Sequence, residues 1–153
     1  MKPQGLQSSP SKKQGTSSTC DARSPENLAW DRTGPKPTDA YLAGYLDADG
    51  CVRFSTGSPR VEITSVFPWI LEEYQMKWGG SLRTLTSPNE RQLWRWTACG
   101  DKAEKCLIDL LPFLYVKKAQ AQLILQARRV EPGPYRDSLI GQVKALKHRD
   151  YHA

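Results

Sequence analysis

Two carboxylates at the end of an apolar stretch are the residues of this sequence whose position most needs a chemical explanation. Asp47 and Asp49 close the segment "TDAYLAGYLDAD" and are followed by Gly50. The segment predicts a short helix, and acidic side chains are unfavourable at a helix C-terminus, which carries a partial negative charge. Carboxylate oxygens are also ligands that hard divalent cations prefer. The sequence therefore raises the question of which positive charge offsets these acids.

Apolar periodicity predicts the elements that hold this helix end. Thr38 is a suitable N-cap for a first helix that runs to about Asp47, and after Gly50 the period changes to that of a strand. The other predicted elements are strands at 51–56 and around 61–64, a helix at 68–78, strands at 81–86 and 92–99, and helices near 101–111, 119–129 and 135–147. This α-β-β-α-β-β-α order with trailing helices indicates an α+β domain whose helices cover one face of an antiparallel sheet.

The open face of that sheet is predicted to be polar and rich in arginine. The strand period places on it Arg53, Ser55, Arg60, Glu62, Thr64, Arg83 and Arg95, with Arg91 as a further candidate. Arginine can pair with guanine through two hydrogen bonds, and Ser, Thr and Glu can contact other base edges. Polar residues line the outer face of many antiparallel sheets, so nucleic-acid binding and simple solvation both stay open. The basic last helix adds candidates for phosphate contacts: Lys144, Lys147, His148 and Arg149.

The composition favours a polyanionic partner. Lys and Arg total 22 against 16 Asp and Glu, a formal net charge of +6. The four cysteines include no close pair, and no histidine lies at zinc-ligand spacing from them, which argues against a zinc site. The sequence has no apolar run near the ~20 residues that span a bilayer, and its beginning lacks the apolar stretch of a secretory signal. We therefore expect a soluble, intracellular protein with reduced thiols and no membrane partner.

The beginning of the chain differs from the rest in composition. Residues 1–36 are rich in Ser, Pro, Gly and Lys, which predicts a disordered tail before a single domain at 37–153. A Ser-rich opening with few acids also fits an organelle transit peptide. The compartment therefore stays open between a chloroplast or mitochondrion and a bacterial or phage cytoplasm.

The segment "YLAGYLDADG" at 41–50 resembles the signature of the LAGLIDADG homing endonucleases almost letter for letter, with Tyr45 and Leu46 replacing the usual Leu-Ile pair. Downstream, "LLPFLYVKKAQAQLIL" at 110–125 and "QVKALKH" at 142–148 resemble segments of the single-motif, intron-encoded members. The likeness runs from Thr38 to the C-terminus. It implies the αββαββα fold of that family, with a curved antiparallel sheet for DNA and trailing C-terminal helices.

A strip of small side chains runs along the first helix. Ala40, Gly44 and Ala48 recur every four residues, which lets another helix approach closely. The second helix could belong to the same chain or to an identical copy, and the resemblance, whose single-motif members are homodimers, favours a two-fold dimer. The predicted interface contains Ala40, Ala43, Gly44, Asp47 and Ala48.

The resemblance also implies a metal site. Asp49 matches the family's metal-binding aspartate, and the backbone carbonyl of Ala48 matches a further metal contact. The implied cofactor is Mg²⁺, with two or more ions per dimer shared between the subunits. Asp47 lies before the metal position and is interpreted as a structural residue at the helix end.

Two further residues match family positions near the chemistry. Lys117, with Lys118 as the alternative, matches a lysine close to the scissile phosphate, where a positive charge stabilises the transition state or orients the attacking water. Ser65 falls at the position of a polar residue, often glutamine, that positions water.

The function implied by the resemblance is site-specific cleavage of double-stranded DNA. A homodimer would bind a long, imperfectly palindromic site with its sheets in the major groove, and cut across the minor groove by divalent-metal-dependent hydrolysis. The alternative on the same fold is an RNA maturase that binds intron RNA, or a DNA-binding regulator that does not cleave. Because Asp49 and a lysine at the later position are both present, the sequence favours the nuclease.

Overall fold

The protein alternates helices with antiparallel strand pairs in the predicted order. The structure, a computed structural model, describes residues 34–86, 88 and 91–149, so residues 1–33 of the predicted tail lie outside the described part. The elements are α1 (Asp39–Asp49), β1 (Gly50–Ser55), β2 (Ser58–Ser65), α2 (Pro68–Trp78), β3 (Ser81–Leu85), β4 (Leu93–Cys99), α3 (Asp101–Leu110), a 3₁₀ turn (Leu111–Phe113), α4 (Lys118–Arg129) and α5 (Pro134–Arg149). The predicted α+β class and its αββαββα order are confirmed. Among the described residues, no helix combines the length and the apolar character that crossing a membrane requires.

The four strands of the described part form one antiparallel sheet in the order β1-β2-β4-β3. Val52 pairs with Val61, and Val61 pairs with Ala98, so one face of the sheet is buried. The alternate residues, with the pairs Arg53–Arg60 and Arg83–Arg95, point to the opposite face. The sheet therefore has the buried and open faces that the sequence predicts.

Three aromatic side chains pack together in the otherwise largely aliphatic core between this sheet and the helices. Tyr74 of α2 packs between Trp78 and Trp96, with ring centroids at 5.5 and 5.0 Å. The indole of Trp96 donates to the Gly79 carbonyl at 2.8 Å, and the Tyr74 hydroxyl donates to the Leu42 carbonyl of α1. Because these rings bury large apolar areas and satisfy their polar atoms, they fix α1 against the sheet.

The first helix is longer than the sequence predicts. Thr38 is the expected N-cap, and its hydroxyl accepts the backbone N–H of Tyr41 at 3.2 Å. The helix ends at Asp49 rather than near Asp47, because the backbone N–H of Gly50 still bonds the Leu46 carbonyl. Both aspartates therefore belong to the last helical turn.

The β1–β2 hairpin is tighter than the sequence predicts. Ser55 pairs with Ser58, so only Thr56 and Gly57 form the turn, both with positive φ (50° and 78°). Strand β2 therefore begins before Pro59, whereas the prediction starts it near Val61. The prediction is late because proline is usually excluded from the interior of a central strand.

The last two helices pack together beside β1, which is an edge strand of the sheet. Leu139 and Val143 of α5 are buried. At one end of α5, Arg136 donates to the Gly57 carbonyl at 2.7 Å and stacks on the Phe54 ring at 4.6 Å. At the other end, the ammonium of Lys147 lies 3.4 Å from the Cys51 sulfur. Helix α5 thus contacts the hairpin near both ends of its edge strand.

Candidate active site at the end of the first helix

The C-terminal turn of α1 presents a free carboxylate to solvent. Ala48 and Asp49 are both exposed. No residue that the structure describes forms an ion pair or a side-chain hydrogen bond with Asp49. A carboxylate at the negative end of a helix without a cation is the arrangement that a bound metal ion would neutralise.

The carboxylate of Asp47 is instead fully engaged within the chain. It accepts the backbone N–H groups of Tyr115, Val116 and Lys117 at 2.7, 3.2 and 2.9 Å. These three residues connect the 3₁₀ turn to α4. The structural role predicted for Asp47 agrees with these contacts, whereas its partners could not be read from the sequence.

The hydrogen bonds that Asp47 accepts from this segment, here called the Asp47 clamp, bring Lys117 to the end of α1. The Lys117 ammonium donates to the backbone carbonyl of Asp47, and the side chain is partly buried. Lys118, the alternative, is exposed and begins α4. Of the two lysines, only Lys117 therefore faces the helix end that carries Asp49.

A cleft of about 310 Å³ opens beside this helix end. Its walls come from α1, β1, the segment before α4, α4 and α5, namely Ala48, Gly50, Cys51, Val52, Val116, Lys117, Gln120 and Lys147. The two lysines give it a positive charge. Sequence reasoning missed Gln120 and Cys51, although Gln120 follows Lys117 by three residues, the spacing that places two side chains on one helix face.

The residues that line the cleft do not include Ser65, and its role in positioning water stays a prediction. Its side chain belongs to the buried face of β2, and the residue is only 7% exposed. Its hydroxyl lies 2.6 Å from the Tyr45 hydroxyl and accepts the backbone N–H of Phe67 at 3.0 Å. Ser65 therefore stabilises the link between β2 and α2.

The residues predicted for the open sheet face lie together on it. The register aligns Arg53 with Arg60, Ser55 with Ser58, Thr64 with Arg95, and Arg83 with Arg95. The Arg95 guanidinium also donates to the Thr64 hydroxyl at 3.2 Å. Arg91 is exposed but precedes β4, outside the sheet.

Glu62 organises the arginines nearest to β1. Its carboxylate lies 2.9 Å from the Arg53 guanidinium and 2.7 Å from that of Arg60. The cluster leaves a net positive charge, because two arginines share one acid. Each arginine is thereby held in a defined orientation on the open face.

The basic residues of α5 separate into two groups. Lys147 lines the cleft, whereas Lys144 and His148 are exposed away from its walls. The sequence predicts phosphate contacts for all three of these residues. Among the side chains of this set that the structure describes, Lys147 alone lines the cleft, and the side chain of the fourth candidate, Arg149, lies outside the described part.

The strip of small residues on α1 is exposed along its whole length. Ala40, Gly44 and Ala48 are all open to solvent, and a Cβ added at Gly44 would meet no atom within 4 Å. Ala43 is fully buried in the core, so its predicted place in an interface is corrected. The carboxylate of Asp47 points to the segment before α4 and is likewise not part of the strip.

Among the described residues, the most deeply buried thiol and phenol are not candidates for chemistry. Burial, followed by the charge of Asp109, raises the pKa of the Cys106 thiol far above its usual range. Burial also strongly raises the pKa of the Tyr74 hydroxyl. Both groups therefore stay protonated and act as parts of the core.

No protein-family model matches the sequence, and no curated protein matches it. Solved structures do match. One is the homing endonuclease I-CvuI in complex with the I-CreI target in the presence of Mg, with the DNA not cleaved; it shares 26% identity over 71% of this chain and 80% of its own, with a TM-score of 0.55. Another is I-CvuI in complex with its own target in the presence of Ca, with 25% identity over 72% of this chain and 78% of its own and a TM-score of 0.53.

The structural likeness agrees with the sequence motif. The matching structures share the α+β fold with its four-stranded antiparallel sheet. In this chain the "YLAGYLDADG" segment forms α1 up to Asp49 and leads into β1 at Gly50. Motif and fold together therefore support membership of this chain in the LAGLIDADG homing endonuclease family.

Proposed function

We propose that this protein is a site-specific double-strand DNA endonuclease. The observation that carries the proposal is the clamp by Asp47, which holds Lys117 beside the exposed end of α1 that presents Asp49. A carboxylate for metal binding and an ammonium beside a positively charged cleft are the groups that metal-assisted phosphodiester hydrolysis uses. The related I-CvuI structures contain DNA, which supports DNA as the substrate.

The donor atoms at the helix end fit Mg²⁺. Asp49 and the backbone carbonyl of Ala48 offer exposed oxygens, which hard divalent cations prefer. The described residues contain no group of three or more acidic, histidine or cysteine side chains that could hold a metal. Mg²⁺ sites use one or two carboxylates together with water and substrate phosphates, and an identical copy can supply a second carboxylate here. When bound, such ions activate water and offset the charge of the phosphate.

Within the chain, Lys117 supplies the fixed positive charge. Its ammonium is anchored on the Asp47 carbonyl, so it is oriented before substrate binds. A preoriented ammonium stabilises the additional negative charge that develops on a phosphate during hydrolysis. The adjacent Lys147 extends this positive surface along the cleft.

The proposed active form is a two-fold dimer through α1. The exposed strip of Ala40, Gly44 and Ala48 lets two copies of α1 pack closely. Close packing at Ala48 would bring the two Asp49 carboxylates together, and shared Mg²⁺ ions, two or more per dimer, would offset their repulsion. The active site would thus lie on the dimer axis.

Substitution of Gly44 by leucine is expected to convert the dimer to a monomer. The added side chain has free space within the protomer, and leucine favours a helix more than glycine does, so folding should be preserved. Analytical ultracentrifugation at micromolar concentration measures the change. The matched control is Gly141→Leu, at an exposed glycine of α5 that also has no neighbour within 4 Å of an added Cβ. Sedimentation of wild type as a monomer, or of Gly44→Leu as a dimer, would contradict the proposed interface.

The open sheet face is proposed to bind the major groove of each half-site. Its arginines can pair with guanine edges, and Thr64 and Glu62 can contact other bases. Arg95 lies in the central strand β4 and is exposed, so it is well placed for such a contact. The net charge of +6 predicts that affinity falls steeply as salt increases.

Substitution of Arg95 by alanine is expected to weaken specific DNA binding by about tenfold to a hundredfold. Fluorescence anisotropy with labelled duplex and Ca²⁺ measures the affinity without turnover. Arg129→Ala, at an exposed arginine at the end of α4, removes the same charge away from the sheet and is the matched control. Equal losses for both variants would indicate general charge attraction rather than binding through the sheet.

The function itself is tested without knowing the target in advance. Duplexes that bind the protein in Ca²⁺ are selected from a randomised pool, and the enriched sequence is then incubated with Mg²⁺. We expect cleavage of both strands at the centre of a long, nearly palindromic site. Recovery of no specific duplex, or binding without cleavage in Mg²⁺ together with tight binding of structured RNA, would instead favour a role on RNA.

A further inference from the structure

Gln120 is the polar side chain of the cleft that the proposed chemistry has not used. It lies in the first turn of α4 and is only 4% exposed. Its side chain lines the cleft beside Lys117 and Lys147. None of the residues that the structure describes forms a hydrogen bond with its amide.

The Gln120 amide is not one of the described side-chain groups that are buried without a partner, so its polar atoms face the cleft. A polar group in such a place is usually satisfied by water or a ligand. The cleft is large enough for this, since its volume of about 310 Å³ exceeds the roughly 30 Å³ that one water occupies. Its lysines can only donate hydrogen bonds, whereas the Gln120 amide can both donate and accept. Gln120 therefore supplies a side-chain hydrogen-bond acceptor, which the two ammonium groups cannot supply.

We propose that Gln120 is a positioning residue that holds the attacking water between its amide oxygen and the Lys117 ammonium. The water would donate one hydrogen to the amide oxygen and accept one from the ammonium, which leaves a lone pair for the phosphorus. Lys117 and Gln120 are three residues apart and therefore lie on the same face at the beginning of α4. The Asp47 clamp fixes the position of Lys117 on this face. The inference rests on the proposed function.

The reaction that this water enters is a simple hydrolysis. The water oxygen forms a bond to phosphorus, the bond from phosphorus to the 3′ oxygen breaks, and the 3′ oxygen leaves as a hydroxyl with one proton. The other proton of the water stays on the new phosphate or passes to solvent. Gln120 is not protonated or consumed at any point and acts only through the position of the water.

The test compares Gln120→Met, which keeps the volume and removes the amide, with Gln120→Glu, which keeps an acceptor oxygen. The substrate is the duplex obtained by binding selection in Ca²⁺, and single-turnover cleavage is started with Mg²⁺ at saturating protein. We expect Gln120→Met to cleave at least about tenfold more slowly with unchanged affinity, and Gln120→Glu to recover most of that rate. Gln122→Met, at an exposed glutamine of the same helix, is the matched control and should cleave like wild type.

Thermal unfolding separates this role from a structural one. Because the amide has no partner among the described residues, Gln120→Met should unfold at the same temperature as wild type or at a higher one. A lower unfolding temperature for Gln120→Met, a loss of DNA affinity, or a cleavage rate equal to that of wild type would each overturn the inference while leaving the proposed nuclease intact. Failure of the wild-type protein to cleave any selected duplex would overturn both.

Discussion

Asp49→Asn is expected to reduce DNA cleavage by at least about 10³-fold while DNA binding is retained. The substitution keeps the size of the side chain and removes the exposed charge that would hold Mg²⁺ at the end of α1. Binding should survive because the sheet face that we propose to contact the DNA is formed by the strands and not by α1. Single-turnover cleavage in Mg²⁺ and anisotropy in Ca²⁺ measure the two effects separately.

The matched control for Asp49 is Asp137→Asn, an exposed carboxylate in the first turn of α5 that makes the same change in net charge. It should cleave like wild type. A loss of binding by Asp49→Asn would mean that Asp49 supports the fold or the dimer rather than the chemistry. Cleavage at the wild-type rate would exclude Asp49 from the metal site.

Asp47→Ala is expected to reduce both stability and cleavage. It removes the acceptor of three backbone N–H groups, but those of Tyr115 and Val116 are exposed and can bond water instead. We therefore expect the free energy of unfolding to fall by only about 1–3 kcal/mol. The larger effect is on cleavage, by about 10²-fold, because the segment that orients Lys117 loses its anchor and small displacements of a catalytic group are costly.

Urea unfolding at a fixed protomer concentration measures the loss of stability, since dimerisation would make stability depend on concentration. Asp137→Ala removes a carboxylate that only complements the dipole of α5 and should cost about 0.3–1 kcal/mol. Unchanged stability and cleavage in Asp47→Ala would show that the segment before α4 is held by other contacts.

Local sequence patterns were sufficient for the elements of this fold. The period of two in β1, β2 and β4 predicted which side chains share the open face, because alternation along a strand is fixed by its backbone geometry. Thr38 marked the start of α1 because its hydroxyl can satisfy a free backbone N–H. The resemblance of "YLAGYLDADG" to a family signature identified the helix that carries the site.

Features that depend on contacts between distant segments could not be read in the same way. The partners of Asp47 lie 68 to 70 residues further along the chain, and no local sequence pattern predicts them. Ser65 was assigned by its position at a strand end, whereas its hydrogen bond with Tyr45 depends on a contact between distant segments. Ala43 has the small side chain that an interface needs, yet the rotation of α1 turns it into the core.

The placement of α5 has a consequence for unwanted self-association. The unpaired backbone groups of an edge strand such as β1 can template pairing with another chain, which leads to aggregation. Helix α5 contacts the hairpin near both ends of β1, through Arg136 and Lys147, and so obstructs the approach of a foreign strand. The opposite edge, β3, is only five residues long and carries Arg83, both of which discourage pairing. The sheet can thus keep one face exposed while both of its edge strands discourage pairing with another chain.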